Sequence, residues 1–146
     1  MAFLEKRFGM DATGFSPWQI YAFRRQAFLF RRQQDGPWFQ RDSFVRCGLP
    51  FMRIVAGFLK PTTVFIQRFG NRASRNCIDL SMKQIAELCT NGSLHISKIT
   101  GENRIIDAPG YVVIRTGGLD LGIGLIMEDE RLLCRFPKSI RQALSR

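Results

Sequence analysis

Gly110-Tyr-Val-Val-Ile-Arg-Thr-Gly-Gly-Leu-Asp-Leu-Gly-Ile-Gly-Leu-Ile-Met127 is the stretch that decides the fold. Tyr111 to Arg115 is rich in β-branched and aromatic side chains, which suit a pleated, half-buried strand. Gly117-Gly118 supplies the left-handed conformations that a two-residue primed hairpin turn demands, so Leu119 to Met127 returns as the partner strand. An acidic turn at Glu128-Asp-Glu130 leads into a third strand, Arg131 to Phe136. The expectation is a meander of hairpins. Gly122-Ile-Gly124 superficially resembles the opening of a dinucleotide or methyl-donor loop, but such a loop follows a strand and opens a helix. Inside a β-run, these glycines point instead to bending or to close backbone approach, and no cofactor is expected.

Working outward, Asn76-Cys-Ile-Asp-Leu80 reads as a short strand. Ser81 and Gln84 then form a capping box, Ile85, Leu88 and Cys89 make the apolar helix face, and Asn91-Gly92 supplies a left-handed stop. Gly57-Phe-Leu-Lys-Pro61 reads as a boundary: proline suits a first helical position, and Val64, Phe65 and Phe69 recur at helical spacing. The segment before it, residues 1–58, carries most of the aromatics, interleaved with arginines. Leu4 and Phe8 stand at i and i+4 on a short helix that Gly9 stops, and the stretch from Asp11 to Pro17 is a turn or loop. Ala27-Phe-Leu-Phe30 and Val45 to Val55 read as strands separated by a turn at Gln34-Asp-Gly-Pro37. The expected class is α+β: a small N-terminal α/β module over 1–58, then a mixed β-barrel with short flanking helices over 59–146. No internal repeat or low-complexity tract interrupts it.

At 146 residues and 45% hydrophobic, the chain has enough apolar material for a real core. Twenty-two Lys and Arg against twelve Asp and Glu give a formal charge of +10 and a pI near 10.3. Such a surface attracts phosphate polymers and releases their counterions. Arginine dominates, and its planar guanidinium both forks onto phosphate and stacks on bases, which favours RNA. No stretch reaches the roughly 20 apolar residues of a membrane span, and no signal-peptide h-region opens the chain, so a soluble cytoplasmic protein is expected. Cys47, Cys77, Cys89 and Cys134 are widely spread with only His95 to complement them. Buried reduced thiols are expected rather than a zinc site.

Chemistry is sparse. His95 has no metal-binding or nucleophilic neighbours, and Glu128, Asp129 and Glu130 read as a solvated turn, so no catalytic or metal residues are assigned. The recurrent motif is basic. Lys60, Arg68, Asn71, Arg72, Arg75 and Asn76 cluster around the first helix after the boundary, and Arg135, Lys138 and Arg141 follow the last strand. Together they suit a phosphate-tracking surface. Arg24, Arg25, Arg31 and Arg32 form two further basic pairs near Trp18, Tyr21 and Trp38, which offer base-stacking faces, although most aromatics in so small a module are needed in its core.

The segment Lys60-Pro-Thr-Thr-Val-Phe-Ile-Gln-Arg-Phe-Gly70, with Asn71-Arg-Ala-Ser-Arg-Asn76, Gly110-Tyr-Val-Val-Ile-Arg115, Leu121-Gly-Ile-Gly124 and Phe136-Pro-Lys138, resembles the PUA-like C-terminal region of RsmF-type RNA cytosine-C5 methyltransferases. Arg7-Phe-Gly-Met10 and Gly48 to Ile54 resemble the small module preceding that region. The layout is also similar to that of PUA-containing ribosome-biogenesis factors. The catalytic domain and its Pro-Cys motif have no counterpart here. The resemblance implies a PUA-like C-terminal domain that engages rRNA or tRNA without methyl transfer, and it adds Arg115 to the RNA-binding candidates. The alternatives are a substrate-recognition subunit of a split RNA methyltransferase and a protein-interaction adaptor, and the expected partners besides structured RNA are a separate RNA methyltransferase or a ribosomal particle.

Overall fold

Leu4 and Phe8, one helical turn apart, are both fully buried, and they seat α1 (Ala2–Phe8), which Gly9 ends in a left-handed cap. The structure, a computed structural model, describes residues 1–31, 48–99 and 104–145. The turn expected at 34–37, the start of the strand expected from 45, and Arg32, Trp38 and Cys47 lie outside the described residues. After α1, a short 3-10 turn at Ala12–Phe15 is capped by Asp11 and drops Phe15 into the core.

Four strands then build an antiparallel sheet in the order β1 (Trp18–Phe23), β2 (Gln26–Arg31), β3 (Leu49–Val55), β4 (Phe58–Pro61). Two of these depart from the sequence reading. Trp18–Phe23 pairs residue for residue with β2, although four of its six residues are exposed and no apolar–polar alternation marks it as a strand. Phe58–Pro61 is the return arm of a hairpin whose turn, Ala56-Gly57, has φ of 50° and 82°. Pro61 therefore ends a strand, and Thr62 caps α2 (Thr63–Phe69) by accepting a hydrogen bond from the Phe65 backbone N–H. The boundary expected at 58/59 falls inside β4.

The second sheet runs β6 (Ser93–His95), β10 (Arg131–Cys134), β9 (Leu119–Ile126), β8 (Gly110–Thr116), β5 (Cys77–Asp79), β7 (Arg104–Ile105), antiparallel except where β5 and β8 pair in parallel. It curls into a half-barrel, and the whole is the mixed α+β class with small helices. Gly117 and Gly118 both take positive φ at the β8–β9 turn, as the primed hairpin requires. Helix α3 (Met82–Asn91) carries the complete Ser81–Gln84 capping box and stops at left-handed Gly92, and α4 (Lys138–Leu144) packs on it.

Adjacent side chains of β8 enter opposite cores. Val113, with Ile123 of β9, packs against Phe8, Phe51, Phe65 and Ile66. Val112 and Ile114 pack with Ile85, Leu88, Leu132 and Phe136 beneath α3. A sheet buried on both faces needs near-continuous apolar strands, which is why this stretch stands out in the sequence. A methyl group on Gly124 would lie 2.5 Å from Leu132 and 2.9 Å from Ile114, and one on Gly122 would lie 3.0 Å from the Phe136 ring. The glycine pair thus serves close packing.

Candidate nucleic-acid interface

Several of the basic residues picked out in the sequence hold the fold together. The Arg115 guanidinium on β8 lies 2.8 Å from the Asp120 carboxylate and donates to the Gly70 and Ala73 carbonyls at 2.6 and 3.0 Å. It ties the end of α2 to the β8–β9 hairpin. Arg72 donates to the Gly14 carbonyl at 2.7 Å and lies 5.0 Å from the Phe15 ring, fastening the 3-10 turn. Arg75 donates to the Glu5 carbonyl and stands 4.0 Å from Asp107. Asn76, buried with φ of 52°, donates to Arg7 and Asp107 and accepts from the Asp107 backbone. Arg141 donates to the Cys89 carbonyl near the C-terminal end of α3. These contacts saturate part or all of each group's donor capacity, since a guanidinium has five N–H donors and an amide two.

The other candidates are freer. Arg68 and Asn71 are exposed beside the end of α2, with Arg68 5.9 Å from the Phe69 ring. Lys138 lines a cleft of about 410 Å³ whose wall includes the already anchored Arg141, with Cys89, Phe136, Gln142 and Ser145. Lys60 on β4 and Arg135 after β10 come together, and the tertiary structure adds Arg53, which pairs with Lys60 across β3 and β4. Burial first, then the charges of Arg135 and Arg53, lower the pKa of Lys60. None of these three side chains has a hydrogen bond or ion pair among the described residues.

Arg53 was legible only through its partner. Val55-Ala-Gly-Phe58 is a two-residue turn between strands, and reading it so places Arg53 opposite Lys60; taking Gly57 to Pro61 as a boundary hides the pair. The aromatics divide similarly. Trp18 packs edge-on against Phe69 at 5.5 Å in the core, whereas Tyr21 stays half-exposed beside Phe30. Arg24 sits 5.3 Å over the Phe23 ring, Arg25 follows it in the β1–β2 turn, and Arg31 ends β2.

The remaining reactive groups have local roles. His95 Nδ1 bonds Ser97 and caps a 3-10 turn. Cys77, Cys89 and Cys134 are free, buried thiols, and burial together with neighbouring Cys134 pushes the Cys89 thiol up to about 11. Among the described residues, no helix is long and apolar enough to cross a membrane and no three His, Cys, Asp or Glu side chains gather as a metal site. No family model, curated protein or solved structure matches the chain.

Proposed function

We propose that this chain is a non-catalytic, cytoplasmic RNA-binding protein that recognises structured RNA, rRNA or tRNA, in ribosome biogenesis or RNA modification, through a PUA-like C-terminal half. The observation that carries the reading is a charge of +10 whose cations at Arg53, Lys60, Arg135 and Lys138 have no acidic partner among the described residues. Unpaired surface cations repel one another, and a phosphate polymer relieves that repulsion while releasing its counterions. Arg68 adds a guanidinium beside an aromatic ring. Arg72, Arg75, Arg115 and Arg141 contribute to binding through whatever donor capacity their internal contacts leave free. Asn71 is exposed and open to phosphate or sugar.

The test is binding of the full chain to fluorescent tRNA and rRNA fragments, with a matched DNA duplex as control, across a salt series. A preference for structured RNA and an affinity that falls linearly with salt on logarithmic axes are expected. The joint substitution Arg135→Ala, Lys138→Ala should flatten that slope by about two, because each phosphate contact contributes close to one. Equal, weak binding to all three nucleic acids sinks the reading.

A further inference from the structure

The register of the N-terminal sheet defines a row that crosses all four strands. Phe23 pairs with Gln26, Gln26 with Arg53, and Arg53 with Lys60. Directly paired residues leave a sheet on the same face, so these four side chains stand in line at about 4.8 Å per strand, roughly 14 Å end to end. Their neighbours Ala27, Met52 and Pro61 turn to the opposite face, where Met52 joins the core.

Two residues further along the hairpin, Val55 and Phe58 pair on the same face as Arg53 and Lys60. Phe58 is 71% exposed, the most of any large apolar side chain among the described residues. A phenyl ring so placed adds nothing to the packing of this fold. The charge of Arg135, which follows β10, adds to the positive field at Lys60. An exposed aromatic next to unpartnered cations, in line with an amide at Gln26, matches what an unstacked nucleotide offers: a π-face, a phosphate and hydrogen-bonding base edges.

We propose that this face binds an unpaired segment of RNA, with Phe58 as the stacking platform for one base and Arg53 and Lys60 holding the adjoining phosphates. The proposal rests on the RNA-binding reading and narrows it from structured RNA in general to the loops and single strands within it. The distribution of charge distinguishes RNA from an anionic membrane as the occupant. Ile54 and Leu59 are exposed on the hairpin's other face, but the residues in line with them there, Met52 and Pro61, carry no charge. An interfacial membrane element keeps its aromatic and apolar side chains on the face opposite its cations, whereas here the most exposed ring, Phe58, stands on the same face as Arg53 and Lys60, as a base-stacking platform beside phosphate contacts requires.

The experiment is fluorescence anisotropy of the full chain with a ten-nucleotide oligouridylate and with tRNA, alongside sedimentation with phosphatidylserine vesicles. Phe58→Ala should weaken oligouridylate binding about tenfold, within the range that loss of one base–aromatic stack produces, and Phe58→Trp should retain it. Arg53→Ala with Lys60→Ala should lower the salt slope by about 1.4, as loss of two single-strand phosphate contacts requires. Arg131→Ala, which loses only its ion pair with Asp129 in the β9–β10 turn, serves as the control and should bind like the parent. Parent-like oligouridylate binding by Phe58→Ala and by the double variant overturns this site while leaving RNA binding intact. Failure of the parent to bind either RNA overturns the RNA-binding reading as well. Vesicle binding that depends on Phe58, without RNA binding that does, assigns the face to a membrane and overturns the proposal.

Discussion

Arg115 is the residue on which most local structure converges. Its side chain is 19% exposed and that of Asp120 is 9% exposed, so the pair is largely shielded from water. Removing the guanidinium strands the carboxylate and frees two carbonyls at the end of α2. Breaking one partner of such a pair typically costs about 3–5 kcal/mol. Arg115→Ala should therefore lower the urea midpoint by an amount equivalent to about 3 kcal/mol, and Arg115→Lys, with one ammonium in place of a planar fork, should recover only part of it. The buried thiols give a second residue-scale expectation. The Cys89 thiol rises from an ordinary 9.0 to about 11, so between those values the unfolded chain ionises while the folded chain keeps its proton. The folded state then binds more protons, and stability falls as pH rises from 9 to 11. Equilibrium unfolding across that range should show the decline. In a Cys47→Ser background, thiol titration of native protein at pH 8 should label far slower than of unfolded protein, because Cys77, Cys89 and Cys134 are buried.

The elements show where local sequence speaks clearly and where it is silent. Helix α3 was legible from end to end because capping box, apolar face and glycine stop all act within a dozen residues. Ser81→Ala should destabilise by about 1 kcal/mol, read from thermal unfolding. The β3–β4 hairpin was hidden by ambiguous punctuation, since a glycine and a nearby proline also mark a boundary. Its turn places Ala56 at φ of 50°, a conformation costly for a residue with a Cβ. Asn-Gly is the favoured pair for a two-residue primed turn, so Ala56→Asn should raise the melting temperature, by an amount equivalent to about 0.5–1 kcal/mol. Strand β1 was missed for another reason: as an edge strand with Ile20, Tyr21 and Ala22 exposed, it lacks the alternation that burial of one face imposes.

At the scale of the whole molecule, the two sheets share a core. Phe8 from α1, Phe51 from β3 and Phe65 from α2 meet Val113 and Ile123 of the second sheet. A fragment spanning 59–146 exposes that apolar face of β8 and β9 to water, at roughly 1.5–3 kcal/mol for each large side chain uncovered. It should keep strand signal in far-UV circular dichroism but lose near-UV signal and bind a hydrophobic dye; a fragment with native near-UV signal refutes the shared core.

Neighbours along the chain are enough to set the capping box of α3, the Gly117-Gly118 hairpin, the apolar runs of β8 and β9, and the excess of arginine. Each rests on backbone preferences or side-chain periodicity acting over a few residues. Which arginines remain free for a ligand was decided by tertiary structure alone. Arg72, Arg75 and Arg115 look in the sequence like surface cations, but carbonyls as far away as Gly14, Glu5 and Gly70 accept their hydrogen bonds. Arg53 meets Lys60 only through strand register, and Arg135 joins them from the far end of the chain. A guanidinium's partners lie wherever the fold brings an unsatisfied oxygen, and no pattern along the chain encodes that distance.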